Sequence, residues 1–144
     1  MRLGTGSFLN QTCSPDSEHC ACFFVACFTN DITVGARTAA QVYADIQNYC
    51  GKVRTSGGKV IVATILPNNA NTGAQQTTQL SVNTSIRTNW ATFADGLADF
   101  ANDATMGPQA AAADTTLYGD GLHPTRLGHT YLATIAKNAI NLLI

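Results

Sequence analysis

Apolar positions fall into two kinds of pattern along the chain, short unbroken runs and longer stretches of helical period. The run Cys20–Phe28 is continuously apolar and carries aromatics, as expected of a strand covered on both faces. Thr38-x-x-Gln41 then reads as a capping box, a helix start in which side chain and backbone satisfy each other's free donors. Behind it Val42, Ile46, Tyr49 and Val53 recur at helical spacing, and Ser56-Gly57-Gly58 ends the helix. Lys59–Leu66 is a β-branched strand stopped by Pro67, followed by a polar loop over 67–79. Ile86, Trp90, Phe93, Leu97 and Phe100 make a helical stripe facing a sheet, with Trp90 serving as packing. Ala110–Asp114 reads as loop and Thr115–Tyr118 as a short last strand. The final helix runs from Leu127 or Gly128 to Leu143, capped by Thr125, with Leu132, Ile135, Ile140 and Leu143 inward.

Strands alternating with helices predict an α/β fold with a parallel sheet and helices on both faces. Sites in such sheets form outside the carboxyl ends of the strands. A chain of 144 residues suits one domain over 1–144, with residues 1–19 irregular or forming a short first strand. Charged residues are only 12% and the net charge is -1, which argues against nucleic acid or a charge-driven membrane contact. The run 21–28 is too short to cross a bilayer, so no transmembrane segment is expected. Met1-Arg2-Leu3 leads into Gly4-Thr5-Gly6 without an apolar leader, consistent with either an intracellular protein or one whose export signal has been removed.

Five cysteines are present, with no C-x-x-C pair among them, so neither a zinc site nor any other cofactor is expected. Cys22 and Cys27 lie in an apolar run, where cysteine usually acts as a small buried hydrophobe. Cys13 and Cys20 flank a polar loop and can pair in an oxidising compartment. The glycine strings at 4–6 and 57–58 lack phosphate-loop spacing, which argues against a flavodoxin-like nucleotide binder.

The chemistry concentrates in Asp120-Gly121-Leu122-His123-Pro124-Thr125. A carboxylate three residues before a histidine, on a turn closed by Gly and Pro, can bond the near imidazole nitrogen. The far nitrogen is then free to take a proton from a hydroxyl nucleophile. Many solvated turns carry such a string, so its setting matters. A second string, Phe28-Thr29-Asn30-Asp31-Ile32, directly follows the first apolar run. Taken with the strand-helix pattern between them, Thr29-Asn30-Asp31 and Asp120-x-x-His123 resemble the third and fifth sequence blocks of the SGNH (GDSL-type) hydrolase superfamily. The likeness runs from about Asn30 to Leu143.

That resemblance implies a three-layer α/β/α fold with a parallel, flavodoxin-like sheet, here truncated at its N-terminal strands. It implies a serine ester hydrolase in which His123 is the base, Asp120 orients it, and the Asn30 amide donates to the oxyanion. Asp31 would tie the loop, and His129, on the first turn of the last helix, would be structural or exposed. Phe28 stands where the family's third block has Gly. Only 29 residues precede Asn30, and no Gly-Asp-Ser occurs. The nearest serine in a comparable setting is Ser7 in Leu3-Gly4-Thr5-Gly6-Ser7, with Ser14 and Ser17 as weaker choices. The expected substrate is a small ester, a lipid or an acetylated sugar. A truncated binding or assembly module without a nucleophile is the alternative. If the strand neighbouring Cys20–Phe28 is short, that apolar strand has an open edge, which predicts a homo-oligomer.

Overall fold

A computed structural model describes residues 22–26 and 28–143. Three parallel strands, β1 (Cys22–Val25), β2 (Lys59–Ala63) and β3 (Gly96–Ala98), lie side by side in chain order. Phe24 pairs with Ile61, and Ile61 with Gly96. A short helix α1 (Thr29–Thr33) and the long α2 (Ala39–Thr55) link β1 to β2, and α3 (Gly73–Asn89) links β2 to β3. Parallel strands need such crossovers, and crossovers of one hand that advance in one direction place their helices on one face. The last helix, α4 (Arg126–Asn141), packs on the opposite face. The expected α/β architecture is therefore present in outline, as a small parallel sheet between helices.

Strand alternation separates the two faces. Val25, Val60 and Val62 point toward α2 and α3, where Val42, Ile46, Cys50, Val82 and Ile86 seal them. Ile61, Ala63 and Ala98 point the other way and meet Ala139 of α4, with Ile135, Ile140 and Leu143 at the margin. A third cluster of Met106, Ala112, Leu117, Tyr118 and Leu132 lies under the long segment between β3 and α4.

Several boundaries differ from the sequence expectation. The first strand spans four described residues, and its Cys22, Phe23 and Phe24 are exposed. Among the described residues it is an edge strand with one neighbour, so its continuous apolar run does not mark burial on both faces there. Cys22 is accordingly no buried hydrophobe, while Cys50 of α2 is fully buried. In α2, Val42 and Ile46 face inward as expected, but Tyr49 is exposed and Cys50 takes the inward position.

β2 ends at Ala63, and the stretch after Pro67 is not all loop. Thr72-x-x-Gln75 forms a second capping box, and α3 begins at Gly73. The stripe from Ile86 to Phe100 is not one helix either. The helix stops at Asn89, Trp90–Thr92 form a 3-10 turn, and Leu97 belongs to β3. Apolar spacing of four, three, four, three fits a helix, but Asp95-Gly96 breaks it. The Asp95 carboxylate accepts the Val60 N–H at 2.9 Å, and the Asp95 N–H donates to the Val60 carbonyl at 2.8 Å, which starts a new strand. Trp90 packs against the core, as expected. Residues 109–113 form a 3-10 helix rather than loop, and Thr115–Tyr118 form a turn with a single bridge from Tyr118 to Pro124 rather than a strand.

Candidate functional site

The Asp120–His123 loop is built by local hydrogen bonds before any tertiary contact. Asp120 Oδ1 accepts the backbone N–H groups of Leu122 at 3.0 Å and His123 at 2.8 Å. Gly121 sits at φ +81°, where a side chain would be strained and would run into Asn69. That turn leaves Asp120 Oδ2 2.7 Å from His123 Nδ1. An ionised carboxylate only accepts, so Nδ1 carries the proton and the neutral ring presents Nε2 as an acceptor. The hydrogen bond from the His123 ring, then those from the His123 and Leu122 amides, hold the Asp120 carboxyl well below the usual carboxylate range. Asp120 therefore stays ionised across the working pH of most proteins. Both side chains are open to solvent, His123 at 76% and Asp120 at 59%.

The loop is then clamped at both ends. Gly119 donates to the His123 carbonyl at 3.0 Å, and Thr125 donates to Leu117 at 2.8 Å. The Tyr118 hydroxyl, fully buried, donates to the Met106 carbonyl at 2.6 Å. Thr125 caps α4 by accepting from the Gly128 N–H, as expected. Gly128 itself is required by close approach, since a Cβ there would lie 2.5 Å from the Leu117 carbonyl oxygen. Helix and loop thus share one rigid corner.

Asn30 reaches this corner by a different route. It lies in α1, immediately past the carboxyl end of β1, rather than in a plain turn. Asp31 ties the following loop, as expected: its carbonyl accepts the Arg37 N–H at 3.0 Å, and its carboxylate lies 4.0 Å from the Arg37 guanidinium. The asparagines after β2 connect α1 to the histidine loop. Thr33 of α1 donates to Asn71 at 2.7 Å and accepts from Asn68 at 3.1 Å, while Gln75 donates to the Thr33 carbonyl at 2.9 Å. From the same segment the Asn69 N–H donates to the Gly121 carbonyl at 2.9 Å, and Gln109 donates to the Asn68 carbonyl at 2.8 Å. Two distant parts of the chain are joined through one polar segment between them.

Asn30 and His123 consequently line one cleft of about 560 Å³. The rest of its wall comes from Phe24 and Ala26, from Thr64–Leu66 and Phe100, and from one face of α4. Thr64–Leu66 continue past the end of β2, and side chains of α3 replace the missing ladder there. Asn83 accepts from the Ile65 N–H at 2.7 Å and donates to its carbonyl at 2.8 Å, with Gln79 adding a second donor at 3.0 Å. Thr64 donates to Asp99 and accepts from the Ala101 N–H, both at 2.9 Å, so its hydroxyl is committed.

Of the residues named from sequence, Asn30 and His123 line one cleft, and Asp120 is bonded to His123. Ser7, Ser14, Ser17, Cys13, Cys20 and Cys27, together with any short first strand, lie outside the described residues. His129 is exposed, as expected, but also lines the cleft, a placement that sequence reasoning missed. The signal for it is the spacing of His129, Leu132, Ala133 and Ala136, which puts all four on one side of α4. Thr29 lines the cleft as well. No helix among the described residues is long and apolar enough to cross a membrane. No protein-family model matches the chain, and no curated protein does.

Proposed function

We propose that this chain is a serine ester hydrolase of SGNH type acting on carboxylic esters. One observation carries the reading: an imidazole oriented by its own carboxylate and an asparagine from far earlier in the chain border the same cleft. In the proposed reaction His123 Nε2 takes the proton of a serine hydroxyl as that oxygen attacks the ester carbonyl carbon. Asn30 donates to the oxyanion that forms. Collapse of the tetrahedral species breaks the C–O bond, and His123 returns the proton to the departing alcohol. Water, deprotonated by the same imidazole, then releases the acid and frees the serine. Ser7 is the proposed nucleophile.

A second reading has an observation of its own. No serine among the described residues lines the cleft, which favours a binding or assembly module with the base and the amide but no nucleophile. A chromogenic short-chain ester separates the two readings. Activity lost in His123→Ala by about 10²–10⁴-fold, and in Asn30→Ala by about 10²–10³-fold, supports the hydrolase. Loss in Ser7→Ala as well identifies the nucleophile, whereas full activity in that variant moves it to another residue. An inert wild type favours the binding module.

We extend the proposal to self-association through the edge of β1 that is unpaired among the described residues, where Phe23 is 43% and Phe24 39% exposed. A single monomer mass in light scattering at high concentration would count against it.

A further inference from the structure

The cleft beside His123 is far more apolar than ester cleavage by itself requires. Its floor includes Phe24 and Ala26 at the β1 edge and Thr64–Leu66 past the end of β2. α4 packs on Ile61, Ala63 and Ala98, with Ala26 at the margin of that cluster, and among the described residues Phe24 at the β1 edge stays 39% exposed beside the cleft. Phe24 and Ala26 are alternate residues and share one face. The opposite wall is α4, through His129, Leu132, Ala133 and Ala136.

The trough has a direction. Asn30 follows the carboxyl end of β1, and His129 lies on the first turn of α4, beside the His123 loop. α4 then runs back toward the amino ends of the strands, where Ala139 and Leu143 approach Gly96 at the start of β3. Polar groups therefore gather at the mouth, and the wall becomes aliphatic along α4. From His129 to Ala136 a helix rises about 10 Å, the extended length of roughly eight methylenes. A cleft of this kind, largely apolar with a few convergent polar groups, suits a ligand with one polar end and a straight apolar body. An acetylated sugar would place hydroxyls against Phe24, Leu132 and Ala136, whose side chains offer no hydrogen bond.

We infer that the trough is an acyl-chain channel, and that the substrates are medium-chain acyl esters bound with the carbonyl at the Asn30–His123 mouth and the chain along α4. This rests on the ester-hydrolase reading, and it selects among the substrates that reading admits.

The test is a series of p-nitrophenyl esters from acetate to laurate, below micellar concentrations, with wild type and Ala136→Phe. Wild-type kcat/KM is expected to climb by up to about fourfold per methylene and to level off near octanoate. Ala136→Phe should lower the octanoate value at least about tenfold more than the acetate value, roughly the binding of two methylenes. A flat series, or a preference for acetate, overturns the channel and leaves the hydrolase standing. If wild type cleaves no ester, the hydrolase reading fails, and binding of dansylaminoundecanoic acid decides the channel. Fluorescence gained with wild type, displaced by decanoate and absent in Ala136→Phe, upholds it. No binding overturns it.

Discussion

The two faces of this small sheet are finished differently. Against α2 and α3, Val60, Val62, Val42, Ile46, Val82 and Ile86 are at most 1% exposed, and two capping boxes fix where those helices begin. Against α4 the packing closes over Ile61, Ala63 and Ala98 of β2 and β3, and beside Phe24 of β1 it gives way, among the described residues, to the cleft. The closed face supplies cohesion, because close-packed apolar atoms leave little that can move. The other face, among the described residues, keeps a cleft and leaves Phe24 partly in water. One polar segment, Asn68–Asn71, carries the rigidity of the first face over to the second by holding both α1 and the histidine loop.

Substitutions on either side should expose the asymmetry most directly. Ile46→Ala opens a void in the closed core and should cost about 2–5 kcal/mol in denaturant unfolding. Phe24→Ala removes a side chain that already meets water and should cost below about 1 kcal/mol. Equal losses at both positions would remove the contrast between the faces. Asn83→Ala strips the Ile65 N–H of its partner and weakens the bonding of its carbonyl, inside the protein, which should cost about 1–3 kcal/mol. It should also displace Ile65 and Leu66 from the cleft wall, so the proposed ester turnover should fall alongside stability.

Thr72→Ala removes the α3 cap and should lower stability by about 1 kcal/mol without changing chain-length preference. The smallest effects come at the extremes of pH. Burial pushes the Cys50 thiol up to about 11, from an ordinary value near 9. The folded state keeps a proton that the unfolded chain releases, so this contribution is complete below pH 9 and fades toward 11. Cys50→Ala should flatten that alkaline decline in thermal melts. Asp120 behaves in the opposite sense. Its depressed carboxyl stabilises the fold above the ordinary carboxylate range, and the contribution is lost as pH falls through its lowered value. Asp120→Asn should remove that acid-side loss from the histidine corner.

Legibility followed the range of the forces involved. The Thr38 box, the β2 run, the Thr125 cap and the Asp120–His123 pair depend on neighbours within a few residues, and all could be read from the chain. The Thr72 box was equally local, yet it was hidden in a segment rich in Asn, Thr and Gln, where polarity resembles loop. The Ile86–Phe100 stripe failed for a different reason. Helical spacing continued by coincidence across a chain break whose cause, pairing with Val60, lies far away in sequence. The burial expected of Cys22 depended on a neighbour for β1, and strand composition carries no information about neighbours.

The sequence by itself determined the Thr38 and Thr125 caps, the β2 run and the bonded Asp120–His123 unit, because turns, caps and short-range hydrogen bonds are decided by adjacent residues. Only the tertiary structure decided that Asn30 shares a cleft with His123 and that His129 joins them. Those outcomes depend on which surfaces meet across long loops, through Asn68–Asn71 and Asn83, and on where α4 comes to rest along the sheet. Contacts between distant residues are settled by the packing of the whole chain, and no local pattern records them.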